Sequence, residues 1–175
     1  VDRIEDAETF HSKDGWVITT DENVPEFSAL GFLTGSKVSV KKGVKVGIIA
    51  CYQGASMIES WIPNGVLQNY GISENICIEA HKFMPELYKN WNVIGRLYEE
   101  MLKTVIPYSV SCILWYQGEE DAHMEEASFY GTELVALIDT WRKEFLDESL
   151  KFIIVQLADY KERQERDGAW DIIKK

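Results

Sequence analysis

Three apolar segments that alternate with amphipathic ones constrain the fold of this chain most strongly. Residues 44–50, 110–116 and 151–157 are mostly apolar, as strands buried on both faces of a parallel sheet are. Residues 124–145 place apolar side chains at helical spacing, which predicts a long amphipathic helix between the last two strands. Strand, helix and strand in this order predict an α/β fold with parallel strands and right-handed crossovers.

Shorter patterns complete the predicted order of elements. Apolar residues recur at three and four positions from Glu26, which predicts a helix that ends at Lys42 and Gly43. A short turn through Ile58 and Trp61 is predicted next, and a helix over residues 93–105. Residues 79–88 are ambiguous and predict a short helix interrupted by a proline. We find no repeat or interdomain linker, so residues 1–175 are expected to form one domain.

Composition narrows the classes of partner. With 175 residues and 46% hydrophobic content, the chain can bury a sizeable core. Its formal net charge of -11 disfavours nucleic acid, because phosphate binding depends on Lys and Arg. No apolar stretch approaches the roughly 18 residues of a membrane-spanning helix. A neutral or cationic small ligand, or a sugar, stays open as a partner, and the cellular compartment is not indicated.

Neither a disulfide framework nor a metal site is expected. Cys51, Cys77 and Cys112 are odd in number and contain no C-x-x-C pair, so we expect free and mostly buried thiols. Several carboxylates lie between residues 119 and 126, where the dipole at the N-terminus of the following helix accounts for them. The sequence therefore predicts no metal and no cofactor.

Two strand ends carry residues suited to chemistry. In open α/β sheets, ligands bind where the strands end. Gly54 lies just beyond the first predicted strand, where the lack of a Cβ would let a backbone N–H approach a ligand. Gln117 lies just beyond the second, and its amide could donate to developing negative charge in an oxyanion site. A purely structural role, with Gly54 in a turn and Gln117 as a cap, explains the same residues equally well.

The order of several motifs resembles the sialate O-acetylesterase family of the SGNH hydrolase superfamily. This resemblance implies a three-layer α/β/α sandwich with a parallel, flavodoxin-like sheet, and hydrolysis of acetyl esters on sugars by a serine nucleophile and a histidine base. It implies an oxyanion role for Gly54 and Gln117, and a role for Glu119 in orienting neighbouring groups. Gln53, Trp61 and Tyr116 are candidates for substrate binding. The motifs are FSA at 27–29, VGII at 46–49, G at 54 with IESW at 58–61, WYQGE at 115–119, WR at 141–142 and VQLA at 155–158.

The chain also departs from this family. Family members usually have two glycines and a threonine where this chain has Gly54, Ala55 and Ser56. The nucleophile motif GQSN and the closing D-x-x-H are absent from the sequence. We therefore expect an incomplete domain without its nucleophile and histidine segments, and a chain that is inactive alone. Loss of the nucleophile strand would leave sheet edges exposed.

Residues inside the chain are poor replacements for the missing nucleophile and base. Ser28 is placed to cap a helix, and Ser56 lacks the strand-to-turn setting of an activated nucleophile. Ser60 is the third candidate serine. The candidate bases are His11, His81 and His123, of which His123 is interpreted as a surface residue.

Three other functions stay open at this point. A non-catalytic carbohydrate-binding domain would use exposed aromatic side chains to stack on sugars. An inactive or structural SGNH-like domain would keep only the core aromatics, and Trp115 and Trp141 are in any case typical of a core. A flavodoxin-like nucleotide-binding protein is disfavoured, because the chain has no glycine-rich phosphate loop. The identity of the acetylated sugar is not indicated.

Overall fold

The computed structural model describes residues 16–174, except 83, 107, 124–125 and 162–167, and except the side chains of 77, 80 and 81. The chain divides into two compact units, one that ends at Gln53 and one that begins at Gly54. The candidate bases His11 and His81 therefore lie outside the described residues or side chains.

In its described residues, 16–53, the first unit is built on one α-helix. A 3-10 helix at Val24–Glu26 precedes helix α1, Ala29–Lys42. The Ser28 hydroxyl caps α1 by accepting a hydrogen bond from the Gly31 N–H at 3.2 Å. Gly43 ends the helix in the left-handed conformation, with φ of 66°. Both the predicted helix and the capping interpretation of Ser28 are confirmed.

The predicted strand at residues 44–50 is wrong, because no strand is assigned there. The Ile48 side chain packs against α1, and a Cβ built on Gly35 would lie only 3.0 Å from it. Val44 and Val46 are partly exposed instead. A strand needs a hydrogen-bonded neighbour, and the sheet of the described residues contains only the two later strands. An apolar segment that has no such neighbour does not form a strand.

The second unit contains a parallel pair of strands, β1 (Cys112–Trp115) and β2 (Lys151–Ile154). Cys112 is paired with Lys151, and Trp115 with Ile154. The parallel pairing is confirmed, although both strands are shorter than predicted. The α-helices of this unit are α2 (Glu74–His81), α3 (Glu86–Lys89), α4 (Lys103–Val105), α5 (Tyr130–Glu144) and α6 (Ala169–Ile173). Its 3-10 helices are Ile58–Trp61, Leu67–Tyr70 and Glu126–Ser128, and Tyr98–Leu102 is π-helical.

Three tryptophans form the centre of the core in this unit. Trp115, at the end of β1, meets Trp61 and Trp141 edge to face, with ring centroids 6.3 and 5.7 Å apart. The indole N–H of Trp141 donates to the Trp61 carbonyl oxygen at 3.0 Å. The core position predicted for Trp115 and Trp141 is confirmed. Aromatic pairs in this geometry contribute about 0.5–1.5 kcal/mol beyond area burial.

The exposure of the cysteines agrees only in part with the prediction of free, mostly buried thiols. Cys51 and Cys112 are free thiols. Burial raises the pKa of Cys51 to about 11, so it is protonated at neutral pH. Cys112, however, is exposed at the start of β1 and is not one of the buried thiols that we expected.

In the described part of the chain, no helix has the length and apolarity to span a membrane. Within the same residues, no group of three metal-binding side chains is found.

Four carboxyl side chains are buried close together in the second unit: Glu59, Asp121, Glu126 and Glu133. Desolvation raises the pKa of Asp121 well above its ordinary value, and the charge of Glu59 adds to the effect. Desolvation also raises the pKa of Glu133 to about 9, helped by the other three carboxyls. The helix dipole invoked from the sequence does not account for this burial, since Asp121 and Glu126 lie before α5 and inside the protein.

Replacing Glu133 with Gln tests this burial. Because its pKa is raised, folded Glu133 keeps a proton that the unfolded chain loses near pH 4.5, so its contribution to stability falls as pH rises towards 9. Glu133→Gln should therefore raise the melting temperature by a few degrees at pH 7, with little gain at pH 4 and the largest gain at pH 9. Thermal unfolding followed by circular dichroism measures this, with exposed Glu148→Gln as control. An equal gain at every pH would contradict it.

Ala55 provides a second test, because its backbone is left-handed with φ of 53°. A side chain in this region costs about 1–2 kcal/mol, whereas the extra flexibility of glycine costs about 0.5–1 kcal/mol. Ala55→Gly should therefore raise the free energy of unfolding by about 0.5 kcal/mol. The same change at Ala136, in α5, should lower it by about 1 kcal/mol or more. Urea denaturation measures both, and destabilisation by Ala55→Gly would show that its conformation is unstrained.

Candidate active site

The site is built on residues 54–58, which we call the site loop. The loop begins at Gly54 and ends at Ile58, the first residue of a 3-10 helix. The fully buried Asn92 holds its middle: the side chain donates to the Ala55 carbonyl oxygen and accepts from the Met57 N–H, both at 2.7 Å. The Trp91 indole also donates to Ala55 O, at 3.1 Å. Side chains thus satisfy backbone groups that no strand ladder serves.

Gln117 joins the end of β1 to the site loop. Its Nε2 donates to the Ser56 carbonyl oxygen at 2.7 Å, across 61 residues of sequence. Nε2 also donates to Asp121 Oδ2. The other oxygen of Asp121, Oδ1, accepts from the Ile58 N–H at 2.9 Å. The structure therefore brings the loop that contains Gly54 against Gln117, although no strand precedes that loop.

Tyr130 fixes the carbonyl side of Gln117. Its hydroxyl lies 2.8 Å from Gln117 O and 3.0 Å from Gln117 Oε1, and it accepts from the Trp115 indole N–H at 3.1 Å. Desolvation raises the pKa of Tyr130 above its ordinary value, so the hydroxyl stays a donor at neutral pH. With Oε1 facing a donor and Nε2 facing two acceptors, the hydrogen-bond partners assign the orientation of the amide.

Gly118 and Gly54 differ in whether a side chain would fit at their positions. Gly118 has φ of 136°, and a Cβ there would lie 3.0 Å from Ile173 and 3.3 Å from the Tyr130 hydroxyl. Backbone and packing both require glycine at this position. At Gly54, by contrast, a Cβ would meet nothing within 4 Å among the described residues. The space beside Gly54 is open, and a ligand could occupy it.

The other predicted site residues are placed as follows. Tyr116 is half exposed beside Gln117, and Glu119 is exposed. Gln53 is partly exposed and belongs to the first unit. Trp61 is 4% exposed, and its indole donates to the Ser56 hydroxyl at 3.1 Å. We therefore correct the interpretation of Trp61, which is a core residue that supports the site loop and does not present a face to a sugar.

The candidate nucleophiles inside the chain have structural partners. The Ser56 hydroxyl accepts from Trp61, and the Ser60 hydroxyl donates to the Met57 carbonyl oxygen at 2.6 Å. His123 Nε2 lies 3.9 Å from Glu120 Oε1 at the surface, which agrees with the surface interpretation.

Sequence analysis missed four residues of the site: Trp91, Asn92, Asp121 and Tyr130. Only Asp121 carried a usable indication, since it lies two residues after the WYQGE segment and could have been grouped with Gln117. Asn92 is a single polar residue in an irregular segment, and its partners lie about 35 residues earlier. No local pattern indicates such a contact.

A family model and solved structures are similar to this chain. The model of a family described as carbohydrate esterase, sialic acid-specific acetylesterase, matches residues 18–175. No curated protein matches the chain. A crystal structure of XAC1771, described as a novel carbohydrate acetylesterase from Xanthomonas citri, is 29% identical with a TM-score of 0.71. The match covers 87% of this chain and 32% of that one, so this chain spans about a third of the length of XAC1771.

The similarity to XAC1771 confirms the predicted α/β fold class with its parallel sheet. The family match covers most of the sequence and includes the site loop, the WYQGE segment and β2. This chain therefore belongs to the carbohydrate esterase family of sialic acid-specific acetylesterases.

Proposed function

We propose that the protein carrying this sequence hydrolyses acetyl esters on carbohydrates, and that Gln117 and the site loop form the oxyanion side of its active site. One observation carries the proposal: the Gln117 amide is fixed against the backbone of the site loop, which also contains Gly54. The family name and the description of XAC1771 as a carbohydrate acetylesterase support the reaction class.

The proposed chemistry requires donors that face developing negative charge. When a nucleophile attacks an acetyl carbonyl, the carbonyl oxygen becomes an oxyanion, and donors that are already oriented lower the barrier. One N–H of Gln117 is held by Asp121, and the other bonds Ser56 O. In the proposed reaction this second N–H is shared between Ser56 O and the oxyanion, as hydrogen bonds in free active sites often adjust on substrate binding. The Gly54 N–H is the proposed second donor.

The nucleophile and base are proposed to come from outside these 175 residues. The structural bonds of Ser56 and Ser60 support this assignment, and so does the match to only a third of XAC1771. A serine would attack the acetyl carbon while a histidine takes its proton, the sugar alcohol would leave with that proton, and water would release acetate from the acyl-enzyme.

Two exposed side chains complete the proposed substrate side. Tyr116 is 52% exposed and adjacent to Gln117 in sequence, so its ring can stack on the apolar face of a sugar. Glu119 lies two residues after Gln117 and is exposed. We propose that it orients neighbouring polar groups.

The contacts of Gln117 also favour a second candidate, a carbohydrate-binding domain without catalysis. Both of its amide N–H groups already have acceptors, and the exposed ring of Tyr116 serves binding as well as catalysis. Sugar binding without acetate release by the protein that carries this sequence would identify this alternative.

Replacing Gln117 with Ala tests the proposed oxyanion role. We expect kcat for acetate release from an acetylated sugar to fall about a hundredfold or more, with little change in KM, because the donor acts mainly in the transition state. The assay uses the natural protein that contains this sequence, with acetylated xylan and O-acetylated sialic acid as substrates. Gln156→Ala is the matched control, since this amide follows β2 and bonds the Lys174 carbonyl oxygen. Full activity in Gln117→Ala would contradict the role.

A further inference from the structure

We propose that Asp121 is a positioning residue that holds the two parts of the oxyanion site, Gln117 and the site loop, in one fixed geometry. This inference rests on the proposed function and adds a residue to it. The carboxyl group is 1% exposed, so water cannot replace its bonds. Its two oxygens accept from two different parts of the site, Oδ1 from the Ile58 N–H and Oδ2 from Gln117 Nε2.

The position of these bonds supports a role beyond packing. Ile58 ends the site loop, and Ser56, two residues earlier, accepts the other N–H of Gln117. Asp121, Ile58, Ser56 and Gln117 therefore close a ring in which the carboxylate fixes both the loop backbone and the amide. With one N–H held by Asp121, the amide plane cannot rotate freely, and the second N–H stays directed at the loop.

The burial of Asp121 is energetically costly, which also favours a functional explanation. Glu59 and Glu126 are also buried, and their like charge adds to the desolvation cost of Asp121. Replacing buried ionic groups by neutral ones of the same shape often leaves stability unchanged or improves it. A residue that served stability alone would therefore gain little from being a carboxylate at this position.

Asparagine at position 121 has the same shape but only one acceptor oxygen. Two donors, the Ile58 N–H and Gln117 Nε2, face the two carboxylate oxygens, so an amide NH2 at position 121 would face one of them. If the NH2 at position 121 faces Gln117, the Gln117 amide must flip so that Oε1 accepts from that NH2. The flip removes the bond from Gln117 Nε2 to Ser56 O. Asp121→Asn should then disorient the proposed oxyanion donor without emptying space in the core.

The first measurement compares acetylesterase kinetics and stability in the natural protein that carries this sequence. We expect Asp121→Asn to lower kcat about tenfold or more, up to the loss in Gln117→Ala, while KM changes little and the variant stays folded. Asp139→Asn is the matched control, since this carboxylate accepts from the Tyr70 hydroxyl at 3.0 Å and should leave kcat unchanged. Wild-type kcat in folded Asp121→Asn would overturn the inference.

A double variant shows whether Asp121 acts through Gln117. If it does, adding Asp121→Asn to Gln117→Ala should lower kcat by less than twofold, because the group that Asp121 orients is already absent. Independent, multiplying losses would show that Asp121 acts elsewhere and would overturn the assignment.

A spectroscopic measurement does not depend on activity. In glutamine-labelled protein, NMR should show that the Gln117 side-chain NH2 protons exchange slowly with water, and faster in Asp121→Asn, whereas those of Gln156 are the same in both. If the wild type releases no acetate, the proposed function fails while slow Gln117 exchange still supports the positioning contact. Fast exchange in the wild type overturns the inference even where acetate release is normal. The wild-type spectrum also decides the matter if Asp121→Asn does not fold.

Discussion

The hydrogen bonds of the Gln117 amide are the interaction on which the site depends. Residues 54–58 belong to no strand or α-helix until the 3-10 turn at Ile58, so no ladder serves their backbone polar groups. A buried polar group without a partner costs about 1–3 kcal/mol. Gln117, Asn92 and Asp121 supply those partners, and they fix the loop with side chains where a sheet would use backbone.

The aromatic core explains why Gln117 can hold this position. Trp115 ends β1 two residues before Gln117, and its ring packs edge to face between Trp61 and Trp141. Its indole bonds the hydroxyl of Tyr130, which reaches Gln117 from α5. The strand end, the helix and the loop are thus joined by directional contacts. Movement of the Gln117 amide would require several of these bonds to break, which is the rigidity that an oxyanion site needs.

Local patterns predicted the elements well, and long-range polar contacts poorly. The spacing of apolar residues and a cap at Ser28 were sufficient to predict α1, because helices depend on neighbours in sequence. The parallel pairing of β1 and β2 followed from their order and from the helical pattern between them. The strand expected at residues 44–50 failed because a strand also needs a partner. Trp61 was interpreted as a candidate for substrate binding, although it is buried and packs against Trp115. Asp121 and Asn92 were missed because their bonds cross 63 and 35 residues.

Four carboxyl groups are buried near the Gln117 amide, and the bond from Gln117 to Asp121 explains why one of them is there. Stability alone would favour neutral residues at Glu59, Asp121, Glu126 and Glu133, because each buried charge must be desolvated against the others. Holding an amide N–H firmly is a different requirement from stability. A carboxylate meets it better than a neutral side chain, because hydrogen bonds to a charged acceptor are stronger. Asp121 meets that requirement at Gln117, an amide that contacts the site loop. The raised pKa of Glu133 means that this neighbour keeps its proton at neutral pH and adds no like charge beside Asp121. The position of Asp121 therefore fits the geometry of the proposed oxyanion site.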